Sequence, residues 1–165
     1  MILWWCFNAI ILFLVMSELS IQLKWQLGEG ELVQGKYSNS HEIIFNDQFQ
    51  LKADAAPDWG GDITSTNPEQ ALAASLSSCH MMTFLALAAK AKWPVSSYED
   101  KAEAFLGKNP KGQMAVTKIR LNPSVQFGDG FNVSDQEMSE MHDRSHRYCF
   151  IANSLSEDVE FEVNL

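Results

Sequence analysis

Between Glu69 and Lys92 the chain sets apolar residues on nearly every face of a helix: Ala71, Leu72, Ala73, Ala74, Leu76, then Met81, Met82, Phe84, Leu85 and Leu87. A surface helix keeps one side for water; a helix apolar all round has to be covered on most sides. Its start is well marked. Asn67 suits the N-cap, Pro68 the first helical position, and Glu69 the positive end of the helix dipole. The whole chain is 165 residues, which is room for one domain with its own core. One such domain is short of material to wrap this helix, so a second copy of the chain is expected to complete the cover.

The flanking segments read as mixed strand and helix. Leu19, Ile21, Leu23, Trp25 and Leu27 alternate with polar residues, the period of a half-buried strand. Gly28-Glu29-Gly30 turns the chain, and residues 31–34, 41–45 and 49–53 read as further short strands. Residues 55–66 are a loop. Trp93-Pro94 closes the long helix, and residues 95–106 and 114–127 read as two strands joined by the turn residues 108–112. Ser134 and Glu137 have the spacing of a capping box and open a second helix expected to run to about Asn153. Val159, Phe161, Val163 and Leu165 alternate as a closing strand. The order is β-meander, long helix, β-hairpin, helix, strand, an α+β fold.

Charge and cysteine use narrow the function. Twelve Lys and Arg against 21 Asp and Glu give a net charge of −9. A surface that acidic repels phosphate backbones, so no nucleic-acid partner is expected. Cysteines occur only at 6, 79 and 149, too few for a secreted disulfide framework and suited to a reducing compartment, the cytoplasm. Residues 1–16 are almost wholly apolar. They are shorter than the roughly 20 residues of a membrane span and lack the basic flank and cleavage site of a secretory signal. Residues 1–15 are therefore expected to be an extension outside the native protein, translation starting at Met16, and membrane attachment is not expected. Cys6 is given no role.

Three constellations could carry chemistry. Cys79 lies mid-helix beside His80, and Cys149 late in the second helix near His146. Each packs well as a small buried hydrophobe; together they also make a thiol pair in which one sulfur attacks an electrophile and the other resolves the product. His142, His146 and Cys149 fall within about 60° of one another on a helix, a face that could bind zinc with Cys79 and His80 as further ligands. The expected metal content is nonetheless none, because the ligands are not tightly clustered in sequence. Glu69 lies ten residues before Cys79, about 15 Å along a straight helix, so the two can cooperate only through a kink, a bridging cation or a second subunit. Leu76, Met82 and Phe150 are apolar neighbours that would favour an alkyl tail on a substrate.

The stretch Asn67-Pro68-Glu69-Gln70, with Cys79-His80 ten residues on, resembles the first cysteine motif of the OsmC/Ohr family, the osmotically inducible and organic hydroperoxide resistance proteins. Ser97-Tyr98-Glu99-Asp100 and the run from His146 to Ser154 around Cys149 resemble an OsmC-like branch of it. The likeness runs from about Ser20 to Val163, within a single domain of residues 16–165. It implies an intertwined homodimer with active sites at the subunit interface. It further implies thiol peroxidase chemistry, with Cys79 peroxidatic, Cys149 resolving, and Glu69 partnering an arginine that holds the thiolate. An organic hydroperoxide would be the substrate and a lipoyl-type dithiol the reductant, with no cofactor. The chain departs from the pattern at the arginine: in Gly35 to His41 the matching positions are Lys36 and Asn39. Lys36 keeps a cation but loses the bidentate fork. The reading from another class is a non-catalytic small-molecule-binding dimer on the same fold.

Overall fold

The computed structural model describes residues 19–29 and 31–165. The expectations for residues 1–16, including Cys6 and the start at Met16, lie outside them. Eight strands and two helices follow in the order β1 (Gln22–Lys24), β2 (His41–Asn46), β3 (Phe49–Ala53), α1 (Pro68–Lys90), β4 (Val95–Asp100), β5 (Glu103–Lys108), β6 (Met114–Leu121), β7 (Pro123–Phe127), α2 (Asp135–Tyr148) and β8 (Glu160–Val163). The fold is α+β. Three sheets form, β1-β2-β3, β4-β7 and β5-β6-β8. All neighbours are antiparallel except β6 and β8, which run parallel with Lys118 opposite Glu160 and Leu121 opposite Val163.

The caps behave as their chemistry dictates. The Asn67 side chain accepts from the Gln70 N–H at 2.8 Å. Ser134 and Glu137 satisfy each other's backbone N–H groups in a capping box. From α1 the residues Ala73, Leu76, His80, Phe84 and Ala88 form the buried stripe, at the three- and four-residue spacing of one helical face. Leu76 and Ala73 meet Ile119 and Leu121 of β6 and the Cys149 side chain; Phe84 and Ala88 meet Met141 of α2. The opposite arc of α1, with Ala71, Ala74, Ser78, Met82, Leu85 and Ala89, is exposed. The described residues therefore cover only half of the chain's most apolar helix.

Several boundaries differ from the sequence reading. The first strand shrinks to three residues, and Leu19, Ile21 and Leu23 are exposed rather than half-buried. Residues 31–34 are a loop and not a strand. The cause is shared. In β1-β2-β3 only Ala53 is buried, so among the described residues this sheet is left largely uncovered. The expected long strands 95–106 and 114–127 each break in two. The Asp100 carboxylate accepts from the Asn122 N–H at 2.7 Å, and the Asn122 amide donates to the Lys101 carbonyl at 2.7 Å. This polar corner turns both strands from one sheet into the next. Finally, α2 ends at Tyr148 instead of Asn153. Cys149 is its extended C-cap, and a single 3-10 turn follows at Ala152–Ser154.

Candidate functional site

The two cysteines, 70 residues apart in sequence, come together where α1 passes the C-terminal end of α2. Cys79 is half-buried and Cys149 is buried; both are free thiols. Cys149 is placed by its own turn. Its N–H donates to the His146 carbonyl at 3.1 Å, its carbonyl accepts from the Asn153 N–H at 3.1 Å, and its sulfur accepts from the Ala152 N–H at 3.4 Å. Cys79 packs against the buried cluster to which Cys149 belongs. Burial, then the neighbouring Cys79 thiol, push the Cys149 thiol up to about 11. Cys149 is thus held protonated at neutral pH.

Beside the thiols is a cluster of imidazoles that the sequence did not reveal. His80, next to Cys79, and His142 of α2 are both fully buried. His80 Nε2 and His142 Nδ1 are 3.0 Å apart in a hydrogen bond. His80 Nδ1 and His142 Nε2 are buried without a partner. Phe84 packs 4.6 Å from the His142 ring, and the His146 ring stacks on Phe161 at 3.8 Å. The three-ligand zinc face therefore does not form: His142 turns to His80, His146 to an aromatic ring, and Cys149 to Cys79. Among the described residues no three His, Cys, Asp or Glu side chains could hold a metal ion together.

Burial of the imidazoles has a consequence for pH. Desolvation lowers both His80 and His142 to about 4, and for His80 the neighbouring histidines add to the shift. In the unfolded chain the same groups titrate near 6.5. Between these values the unfolded state binds more protons, so their contribution is complete above 6.5 and is lost as pH falls towards 4. The full loss is on the order of 3 kcal/mol for each imidazole. Thermal denaturation should show a clear drop in Tm between pH 7 and about pH 5, above the carboxylate range. An unchanged Tm over that span would contradict the buried neutral pair.

The remaining residues singled out in the sequence are scattered. Glu69 is half-buried, and one of its carboxylate oxygens is buried without a partner. Lys36 is exposed on the N-terminal segment, lining a surface cleft with Glu29, Glu31 and Tyr37. Asn39 lies on the same segment, its carbonyl 2.7 Å from His41 Nδ1. Among the described residues no ion pair joins Lys36 to Glu69 within one chain. Leu76 is fully buried and backs the thiols as core. Met82 and Phe150 are 58% and 81% exposed, so they are available to a ligand and line no closed wall. A cleft of about 460 Å³, lined by Gln70, Ser77, Ser78, Met81, Tyr98 and Asp100 among others, opens beside α1. Ser77 donates to the Asp100 carboxylate at its edge.

Comparison with known proteins bears on this arrangement. The family model for OsmC-like proteins matches residues 60–164. An OsmC-like protein of unknown function from Vibrio cholerae is 37% identical, with 90% of this chain and 99% of that one covered at a TM-score of 0.82. An organic hydroperoxide resistance protein from Legionella pneumophila is 17% identical, covering 91% and 100% of the two chains at a TM-score of 0.66. Its counterpart from Bacillus subtilis is 15% identical, covering 88% and 96% at 0.63. These last two share the fold. Nothing among curated proteins matches the sequence.

Proposed function

The chain belongs to the OsmC-like family, and from that premise we propose that it is a thiol-dependent peroxidase that reduces organic hydroperoxides through Cys79 and Cys149. The observation that carries this reading is that Cys79 packs against the buried cluster that holds Cys149, close enough for its thiol to raise that of Cys149. Relatives of the same fold are named for organic hydroperoxide resistance.

The chemistry runs in three balanced steps. The Cys79 thiolate attacks the terminal peroxide oxygen; the O–O bond breaks, and the departing alkoxide takes a proton from solvent to leave as the alcohol. The resulting sulfenic acid is attacked by Cys149, forming the S–S bond and releasing water. A dithiol reductant of the lipoyl type then returns two electrons and two protons. A resolving thiol that stays protonated until the sulfenic acid exists is what burial at Cys149 supplies. Met82, one turn beyond Cys79, and Phe150, next to Cys149, offer apolar contact to an alkyl tail. No metal or organic cofactor takes part.

A second copy of the chain completes the site in this reading. The exposed arc of α1 and the N-terminal sheet both present apolar residues, Met82 and Leu85 on the one and Leu23, Phe45, Phe49 and Leu51 on the other. Laying the sheet of one copy on the α1 arc of the other makes an intertwined homodimer. In this reading Lys36 of one copy would pair with Glu69 of the other, one of whose carboxylate oxygens lacks a partner within its own chain among the described residues. Lys36 would then act as a point charge near the thiolate, weaker in geometry than a guanidinium fork. Free thiols that must be re-reduced after each cycle suit the cytoplasm.

The test is peroxide consumption with cumene hydroperoxide and dihydrolipoamide, with sedimentation of the same sample. Catalytic consumption by a species of twice 18.6 kDa is expected. A monomer, or a protein whose thiols react with peroxide no faster than free cysteine, would contradict the proposal. The latter result would favour the non-catalytic binding dimer.

A further inference from the structure

We infer that His80 and His142 are positioning residues for the thiol pair: their mutual hydrogen bond is the clamp that holds α1 and α2 in the register at which the sulfurs of Cys79 and Cys149 meet. Among the described residues it is the only side-chain hydrogen bond between the two helices. Every other contact between them is packing, with Phe84 against Met141 and the His142 ring as the main one. Apolar packing is non-directional and tolerates small slides and rotations. A disulfide does not: its Cβ atoms must come within roughly 3.5–4.5 Å with a restricted dihedral angle.

The clamp sits where such slides would matter. His80 directly follows Cys79, and His142 precedes Cys149 by two helical turns on the same face, about 10 Å away along α2. A rotation or shift of either helix large enough to separate the sulfurs would break the N···N contact of 3.0 Å. The pair is also costly to keep. Its two outer nitrogens are buried without partners, a penalty that two aliphatic side chains of similar volume would avoid. Its presence among buried side chains that are otherwise mostly apolar points to a need for direction and not for adhesion. In the neutral pair one imidazole donates and the other accepts. With one added proton the charged ring still donates to the neutral one, so the clamp survives a single protonation.

This inference rests on reading Cys79 and Cys149 as an oxidisable pair, and its test avoids peroxide so that the two can fail separately. The full chain is equilibrated in glutathione buffers, and the intramolecular disulfide is quantified by alkylation and intact mass. Cys79 thiolate displaces glutathione from glutathione disulfide, and Cys149 thiolate then displaces the second glutathione; two electrons pass to the buffer and each cysteine gives its proton to solvent. The equilibrium gives the effective concentration of one thiol at the other. His80→Leu combined with His142→Leu removes both the hydrogen bond and the orphaned nitrogens. It should melt near the wild type yet lower the effective concentration by about tenfold or more. His80→Gln with His142→Asn places amide atoms near Nε2 and Nδ1, and should stay within about threefold of the wild type. Should the leucine pair fail to fold, His142→Gln alone decides. It displaces the amide by one methylene, and it should lose the effective concentration that His142→Asn retains. A leucine pair as effective as the wild type, equal values for His142→Gln and His142→Asn, or a wild type that forms no intramolecular disulfide would each overturn the inference. Normal disulfide equilibria without peroxide turnover would instead overturn the peroxidase reading and leave the clamp standing.

Discussion

Cys79→Ser should remove peroxide turnover, by at least about 10³-fold, because a hydroxyl in place of the attacking sulfur leaves no covalent route. The fold should survive, since the side chains are nearly isosteric and Cys79 is only half-buried. Cys149→Ser should behave differently. Its Cys79 can still be oxidised once, so about one equivalent of peroxide disappears and a sulfenic acid accumulates at Cys79, which dimedone labels. The contrast between the two serine variants is the informative part. If Cys79→Ser turned over at the wild-type rate with a dithiol present, the assigned order of attack and resolution would be wrong. If both variants consumed peroxide alike, neither sulfur would be special.

Phe84→Ala should be the most destabilising single core truncation. The ring is fully buried. Its centroid lies 4.6 Å from that of His142, 5.5 Å from Tyr98 and 6.5 Å from Trp93, so removal opens a cavity between α1, α2 and β4 that stiff aromatic neighbours cannot fill. Losses of this kind are about 3–5 kcal/mol, a large part of the roughly 5–15 kcal/mol that holds a typical domain together. Denaturant titration should show a lower midpoint at an unchanged slope. A loss below about 1 kcal/mol would mean that the cluster is packed differently.

Sequence legibility followed the range over which each signal acts. The caps at Asn67 and Ser134 were readable because their partners, Gln70 and Glu137, lie three residues away. The family likeness was readable because its motifs surround Cys79 and Cys149 closely. The strand breaks were not, because the corner pairs Asp100 with Asn122 across a turn while apolar residues continue on both sides. The end of α2 was missed for lack of a breaker: no Gly or Pro follows Tyr148, and Cys149 leaves the helix to reach its tertiary contacts. The His80–His142 pair joins residues 62 apart, and no local pattern announces it. The helical periodicity that grouped His142, His146 and Cys149 was sound as geometry. It failed as a metal site because each side chain met a different neighbour from outside the helix. The short β1 reflects the same limit in reverse, since among the described residues its alternating side chains have little to cover them.

The most direct measurement is the intact mass and peptide map of the reduced protein after one equivalent of an organic hydroperoxide. A rapid loss of two hydrogens, with Cys79 and Cys149 recovered in one cross-linked peptide pair, is the predicted result. Thiols that remain reduced, or a Cys79 carried on to sulfinic acid with Cys149 still free, would contradict the account.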